Sequence, residues 1–407
     1  MKSFFTRLEV MWAAAAFGAL LLTAAPIANA QDKGKLCPYC KTTGKVANEF
    51  YETYKHLEEK AKYCSFCIEK DKAGRGLPWV PCKRCKNKPL QAKAQAEFAL
   101  LAKERLDWVA ARRKIDEETK VREPLLHLET EHFLWAWNIP RFKGSDKKSY
   151  DMHRGLHLYA ERMEKYYDDW QRVHKVTDKD NVNTKHQIFC YESQRASTKA
   201  CNLYAQIATP NGKASKQGNP SVYVTWWDRS KRPTDEDFHL ELIHNVNHLF
   251  TATYKNIWWL HECAVAYEGG SHWWEIYYFG RASTRCFVEA DSGAAWRDYK
   301  WQSVVKKGVL ADRHPEISDV LTKPGTSLNS VEHPYAWSYI DYMMHLDPHK
   351  VMDFYLVIKE KKHPREAIKK AFGVSIPKFE ADWMEWVIDT YSIKAESPAI
   401  PKRLRRR

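Results

Sequence analysis

After residue 30 the chain holds no apolar run long enough to cross a bilayer, so a membrane-embedded body is not expected. No cysteine closes the leader, which argues against a lipoprotein anchor. Acid is in short supply: 51 Asp and Glu face 65 Lys and Arg, a formal charge of +14. That excess is spread along the chain without forming a nucleic-acid module, and no nucleic-acid partner is expected. It gathers only at the end, in Pro401-Lys402-Arg403-Leu404-Arg405-Arg406-Arg407, a solvated tail suited to an anionic surface polymer or membrane surface. The chain opens as an export leader: Lys2 and Arg7, the apolar run Met11 to Ala28, then Ala28-Asn29-Ala30, with cleavage expected before Gln31. Shedding Lys2, Arg7 and Glu9 with that leader leaves +13 on a mature chain expected in the periplasm or outside the cell.

Cysteine is plentiful near the front. Three CxxC pairs, Cys37/Cys40, Cys64/Cys67 and Cys82/Cys85, have zinc-knuckle spacing. With fourteen residues between Cys67 and Cys82, those two pairs suffice for one four-cysteine ribbon and leave a pair over. Cys37-Pro38-Tyr39-Cys40-Lys41-Thr42-Thr43-Gly44 also resembles a degenerate repeat from the zinc-binding domain of DnaJ-type chaperones, though that domain uses four pairs. Export favours disulfides whereas zinc needs thiolates, and zinc captured during folding reconciles the two. A structural zinc ribbon is the expectation, with disulfides the alternative and redox catalysis in neither case. For Cys190, Cys201, Cys263 and Cys286, a Cys190–Cys201 or a Cys263–Cys286 bridge stays open.

A second metal signal lies in His244-Asn245-Val246-Asn247-His248. Histidines four apart point the same way on a helix and can share one zinc. Glu241 to Thr253 lacks Pro and Gly and carries Leu242, Ile243, Val246, Leu249 and Phe250, the pattern of a buried helix. Downstream, Trp258-Trp259-Leu260-His261-Glu262-Cys263-Ala264-Val265-Ala266-Tyr267 offers a carboxylate in another apolar segment.

These residues resemble the gluzincin zinc peptidases, specifically the secreted peptidase MA-like group, whose pattern is HExxH followed by a W-L-x-E-G-x-A-x-Y helix. The resemblance implies His244, His248 and Glu262 as zinc ligands, with a fourth position for water, and Trp259, Leu260 and Tyr267 on the ligand helix. Three positions depart from it: the general-base glutamate is Asn245, the glycine after the ligand is Cys263, and the second acidic position is Ala266. An amide cannot take a proton from water, and general acid–base assistance is worth about 10²–10⁴-fold, so hydrolysis is expected to be crippled or absent. Glu241, one turn earlier, is the conceivable substitute base. Tyr335 or Tyr339 is a candidate oxyanion donor, with helix packing as the plainer role. His261, His272 and His314 are rival ligands by proximity in sequence and read better as surface or supporting residues.

The predicted elements run strand at His127 to Ile139, helix at Asp151 to Val173, strand at Gln187 to Tyr191, helix at Thr198 to Ile207 and strand at Ser221 to Trp227, then the metal helices. Helices follow at Ser303 to Val309, Ala336 to His345, Pro348 to Glu360, Pro364 to Phe372 and Ile376 to Tyr391. This is an α+β chain, and the order resembles the gluzincin sheet subdomain followed by its helical part. The expected units are a leader (1–30), a Cys-rich zinc-ribbon-like domain (31–90), a helical linker (91–122), a gluzincin-like domain (123–392) and a basic tail (393–407). The functional expectation is an exported zinc-binding pseudo-peptidase that recognises a peptide or extracellular protein. The alternatives are a weakly or conditionally active metallopeptidase and a metal-free scaffold.

Overall fold

The computed structural model describes residues 37–48, 61–70, 77–119, 124–258, 260–284, 286 and 301–394. The segment expected to be a leader, Trp259 and the chain from residue 395 lie outside the described residues. The architecture is mixed α+β, and no helix among the described residues is long and apolar enough to cross a membrane.

The front of the chain forms β1 (Lys45–Ala47), β2 (Ala61–Cys64), α1 (Ser65–Lys70), β3 (Trp79–Pro81) and the long α2 (Lys88–Thr119). β1 pairs with β3 as a small ribbon. The expected strand at His127 to Ile139 is a hairpin, β4 (Leu126–Thr130) and β5 (Phe133–Trp137). Glu164 breaks the run by accepting from the His132 backbone N–H at 2.8 Å and pairing with its Nδ1 at 2.7 Å. After the short pair β6 (Phe142–Lys143) and β7 (Ser149–Tyr150) comes α3 (Met152–His174). Asp151 caps α3 through the Arg154 N–H, and Lys175, left-handed at φ 54°, ends it. Leu156, Tyr159, Ala160, Met163, Tyr166, Tyr167 and Trp170 recur at helical spacing and are buried as one stripe.

β8 (His186–Tyr191), α4 (Gln194–Ala200), β9 (Ala214–Lys216) and β10 (Ser221–Trp226) complete a six-stranded sheet of order β2-β4-β5-β8-β10-β9. β5, β8 and β10 run parallel, joined through α3 and α4, because parallel neighbours need crossover connections. Side chains alternate across the sheet. Phe133, Trp135, Trp137, Ile188, Cys190 and Tyr223 face the main core. Ala136, Phe189, Tyr191, Val222 and Val224 face a smaller core under α4.

On the main-core side lies α5 (Asp235–Thr253), started by a capping box between Thr234 and Asp237 and buried on nearly every face. It is followed by α6 (Gly270–Phe279), α7 (Trp301–Leu310), α8 (Ile317–Thr322), α9 (Glu332–Leu346), α10 (Pro348–Lys359), α11 (Pro364–Phe372) and α12 (Ile376–Thr390), the helical half.

One segment sits elsewhere than its place in sequence implies. β2, within the stretch read as the Cys-rich domain, pairs with β4, with Cys64 opposite Leu128. Ser65 Oγ accepts from the His127 N–H at 2.9 Å, and Arg113 of α2 grips Glu69 of α1 through both carboxylate oxygens. The middle of the Cys-rich stretch (residues 31–90, the head) is therefore part of the sheet of the following domain (residues 123–392, the body).

Candidate metal centres

α5 places His244 and His248 on one inward face, and both are essentially inaccessible to solvent. Their Nε2 atoms converge on Cys286 Sγ, at 3.3 Å and 3.1 Å. The third donor differs from the one the sequence pointed to. Glu262 sits exposed on the 3-10 turn Leu260–Glu262, while Glu268 brings Oε2 to 3.4 Å from His244 Nε2 and Oε1 to 3.9 Å from His248 Nε2. Glu268 lies in a π-helical turn, Val265–Gly269, a widened turn of a kind frequent at functional sites. Gly269 lets that turn press on α9, since a Cβ there would stand 2.4 Å from the Ala336 carbonyl oxygen. His248 is held flat against Tyr267, ring centroids 3.7 Å apart and planes 8° from parallel.

Behind the four donors is a supporting layer. His244 Nδ1 lies 3.6 Å from Glu275 Oε1, and His248 Nδ1 lies 3.2 Å from Ser271 Oγ. Metal-binding histidines characteristically engage a partner through the second nitrogen; His248 does so through Ser271, whereas His244 Nδ1 faces Glu275 from beyond hydrogen-bond reach. Glu275 also contacts His272 Nδ1 at 2.8 Å and accepts from the Thr284 N–H at 3.0 Å, anchoring the backbone two residues before Cys286. His272 meets His333 through nitrogens 2.8 Å apart.

The buried acids and imidazoles here interact strongly with one another. Burial would raise the Glu268 carboxyl, but His244, His248 and His272 hold it down at about 2. Glu275, likewise buried, is held at about 2 by His244 and His272. Burial alone would lower His244, yet Cys286, Glu268 and Glu275 push it well above the usual imidazole range. Both Glu268 oxygens are buried with no well-formed hydrogen bond, their polar neighbours being the His244, His248 and His272 nitrogens at 3.4–3.9 Å. Buried anions are costly unless a positive charge answers them, and either a protonated His244 or a bound metal ion does so here. Zinc–nitrogen and zinc–sulfur bonds of about 2.0–2.3 Å in a tetrahedron imply roughly 3.3–3.8 Å between neighbouring donors. The observed spacings bracket that range, so these residues fit a metal ion.

Asn245, in the base position, is half-buried and donates from Nδ2 to the Glu241 carbonyl at 2.9 Å, with its Oδ1 3.9 Å from Cys286 Sγ. Glu241 is no free base. It accepts from Thr225 Oγ1 at 2.7 Å and Tyr223 OH at 3.0 Å and pairs with Lys213 and Arg232. Tyr335 puts its hydroxyl against Gly308 of α7, and Tyr339 donates to the Pro315 carbonyl at 2.9 Å, so both serve packing. His314 approaches Glu380 at 3.9 Å, and His261 is half-buried.

The Cys-rich head pairs its cysteines differently from the Cys67–Cys82 ribbon expected. Cys37, Cys40, Cys82 and Cys85 form one buried cluster at the β1–β3 ribbon, with Cys40 and Cys85 sulfurs 3.6 Å apart. A disulfide bond is about 2.05 Å, whereas 3.6 Å suits two thiolates on one metal. All ten cysteines are free, so neither the Cys190–Cys201 nor the Cys263–Cys286 bridge is formed. No protein-family model matches the chain, and no curated protein matches it either.

Sequence reasoning missed Glu268, Cys286, Glu275 and Ser271. One signal for Glu268 was available: it is the sole charge in Cys263 to Gly270, a stretch otherwise apolar or small. A carboxylate there must be buried and therefore partnered. Cys286 has no comparable signal, standing outside regular structure 38 residues beyond His248.

Proposed function

We propose that this chain is an exported zinc-holding pseudo-peptidase on the gluzincin plan, whose body binds a peptide or an extracellular protein without cleaving it. The observation that carries the reading is Cys286, whose thiol completes a set of four protein donors with His244, His248 and Glu268. Hydrolytic zinc sites keep one position open, and structural ones close it. Bound zinc would supply concentrated positive charge and Lewis acidity. His244, His248 and Glu268 would hold it, Cys286 would occupy the place a reacting molecule needs, and Glu275 and Ser271 would keep both imidazoles aimed. Asn245 offers neither proton acceptor nor donor of the required acidity, and Glu241 is neutralised by its own cations. Two independent features thus oppose hydrolysis, one steric and one chemical.

The test measures zinc and fluorogenic-peptide cleavage on the full-length protein and its variants. Wild type is expected to carry zinc that His244→Ala/His248→Ala loses, and to show background cleavage. Asn245→Glu/Cys286→Ala is expected to gain about 10²-fold or more over wild type. Zinc-dependent cleavage by wild type would overturn the proposal. Zinc-free wild-type protein would favour the scaffold reading. A second reading, an enzyme masked by Cys286, is supported by the thiol's position on a non-helical segment. It requires that Cys286→Ala alone release activity.

A further inference from the structure

The pair Cys64/Cys67 left out of the ribbon is not idle. Cys64 closes β2 and Cys67 lies in α1, three residues on, so their sulfurs face the same way at the sheet's edge. Opposite them, the first turns of α3 present His153 and His157, four apart on one face. His153 Nε2 stands 3.5 Å from Cys64 Sγ and 3.2 Å from Cys67 Sγ, and His157 Nε2 stands 3.4 Å from Cys64 Sγ. The site is largely shielded, with Cys64 2 % and His157 9 % exposed and His153 half-buried under Phe66, which stacks on its ring at 4.2 Å.

We infer that Cys64, Cys67, His153 and His157 form a separate structural zinc site that clamps the β2–α1 segment of the head to α3 of the body. Sulfur–nitrogen distances of 3.2–3.5 Å are close to the roughly 3.5 Å edge of a tetrahedron with zinc–sulfur bonds near 2.3 Å and zinc–nitrogen bonds near 2.0 Å. Two thiolates and two imidazoles are a closed set, the composition of a structural rather than a catalytic site. The clamp joins residues 86 to 93 positions apart in sequence. Binding releases the two thiol protons to solvent and leaves both imidazoles neutral. The inference does not depend on what the His244 centre binds.

The experiment counts zinc per chain in full-length protein by elemental analysis, with free thiols counted after denaturation in chelator. Cys64→Ser/Cys67→Ser and His153→Gln/His157→Gln are each expected to hold one zinc fewer than wild type, with the loss adding to that of His244→Ala/His248→Ala. Should the glutamine variant fold poorly, His157→Cys supplies an alternative ligand and is expected to restore both zinc and folding, which a mere packing role would not allow. Cobalt loaded into a His244→Ala/His248→Ala/Cys37→Ser/Cys40→Ser background should give thiolate-to-metal absorption that His153→Gln/His157→Gln abolishes. An unchanged zinc count in His153→Gln/His157→Gln, or a Cys64–Cys67 disulfide in protein recovered from its native compartment, would overturn the inference.

Discussion

Replacing Glu241 by Gln separates an anchor from a spare base. The carboxylate is 2 % exposed, accepts from Thr225 and Tyr223, and faces Lys213 and Arg232. Burial would raise its carboxyl, but the two cations hold it at about 2 against an ordinary 4.5. A displacement of that size corresponds to about 3 kcal/mol of folding stability. The folded state binds the proton less tightly, so the contribution is complete above about pH 4.5 and fades as pH falls through about 2. Lys213 and Arg232 keep 26 % and 17 % of their side-chain exposure, so water softens their loss of a partner and the expected cost is about 2–3 kcal/mol. Urea unfolding of zinc-saturated wild type and Glu241→Gln at pH 7 and pH 3 measures it. Taking the difference between the two proteins at each pH cancels the common effect of metal release in acid. The gap should fall to less than half between pH 7 and pH 3. A gap under about 0.5 kcal/mol at pH 7, the ordinary range for an uninvolved site, or one that widens in acid, would refute the anchor assignment.

Glu275→Gln should weaken zinc binding at the His244 centre by about 10–100-fold without changing the number of zinc ions held at saturation. Competition with a chromophoric chelator reads this directly, and unaltered affinity would remove Glu275 from the supporting layer. Gly269→Ala should cost about 1–3 kcal/mol, because its methyl group meets the Ala336 carbonyl oxygen, and thermal unfolding would show it. Cys82→Ser should loosen the β1–β3 ribbon while leaving the body folded, seen as proteolysis confined to the front of the chain. Equal resistance of the two proteins to protease would argue against metal in that cluster.

The helices were the legible part of the fold. α3, α9, α10, α11 and α12 fall within a few residues of the spans that periodicity and Pro or Gly punctuation define, since an amphipathic helix writes its buried face into local spacing. His244 and His248 were legible for the same reason: the relation that makes them a pair is contained in one turn. Glu268 was hidden by the π-helical turn that carries it, a departure from the 3.6-residue period. The Trp-Leu-x-Glu spacing drew attention to Glu262 instead. His153 and His157 show the opposite failure. Their four-residue spacing is as plain as that of the α5 pair, but the cysteines that give it meaning come from β2 and α1, and no local pattern records that a strand from the head would pair with β4. Cys286 combines both difficulties, being distant in sequence and outside regular structure.

β2 also decides what can be cut from this protein. Without it the sheet would begin at β4, a five-residue strand flanked on that side by unpaired backbone N–H and C=O groups. Open edges of that kind recruit strands from other molecules. A chain shortened to start at residue 91 or 123 would lose the guard strand and half of the Cys64/Cys67/His153/His157 cluster together. It is then expected to self-associate through β4, so that removing the head would uncover a sheet edge as well as take two donors from the cluster.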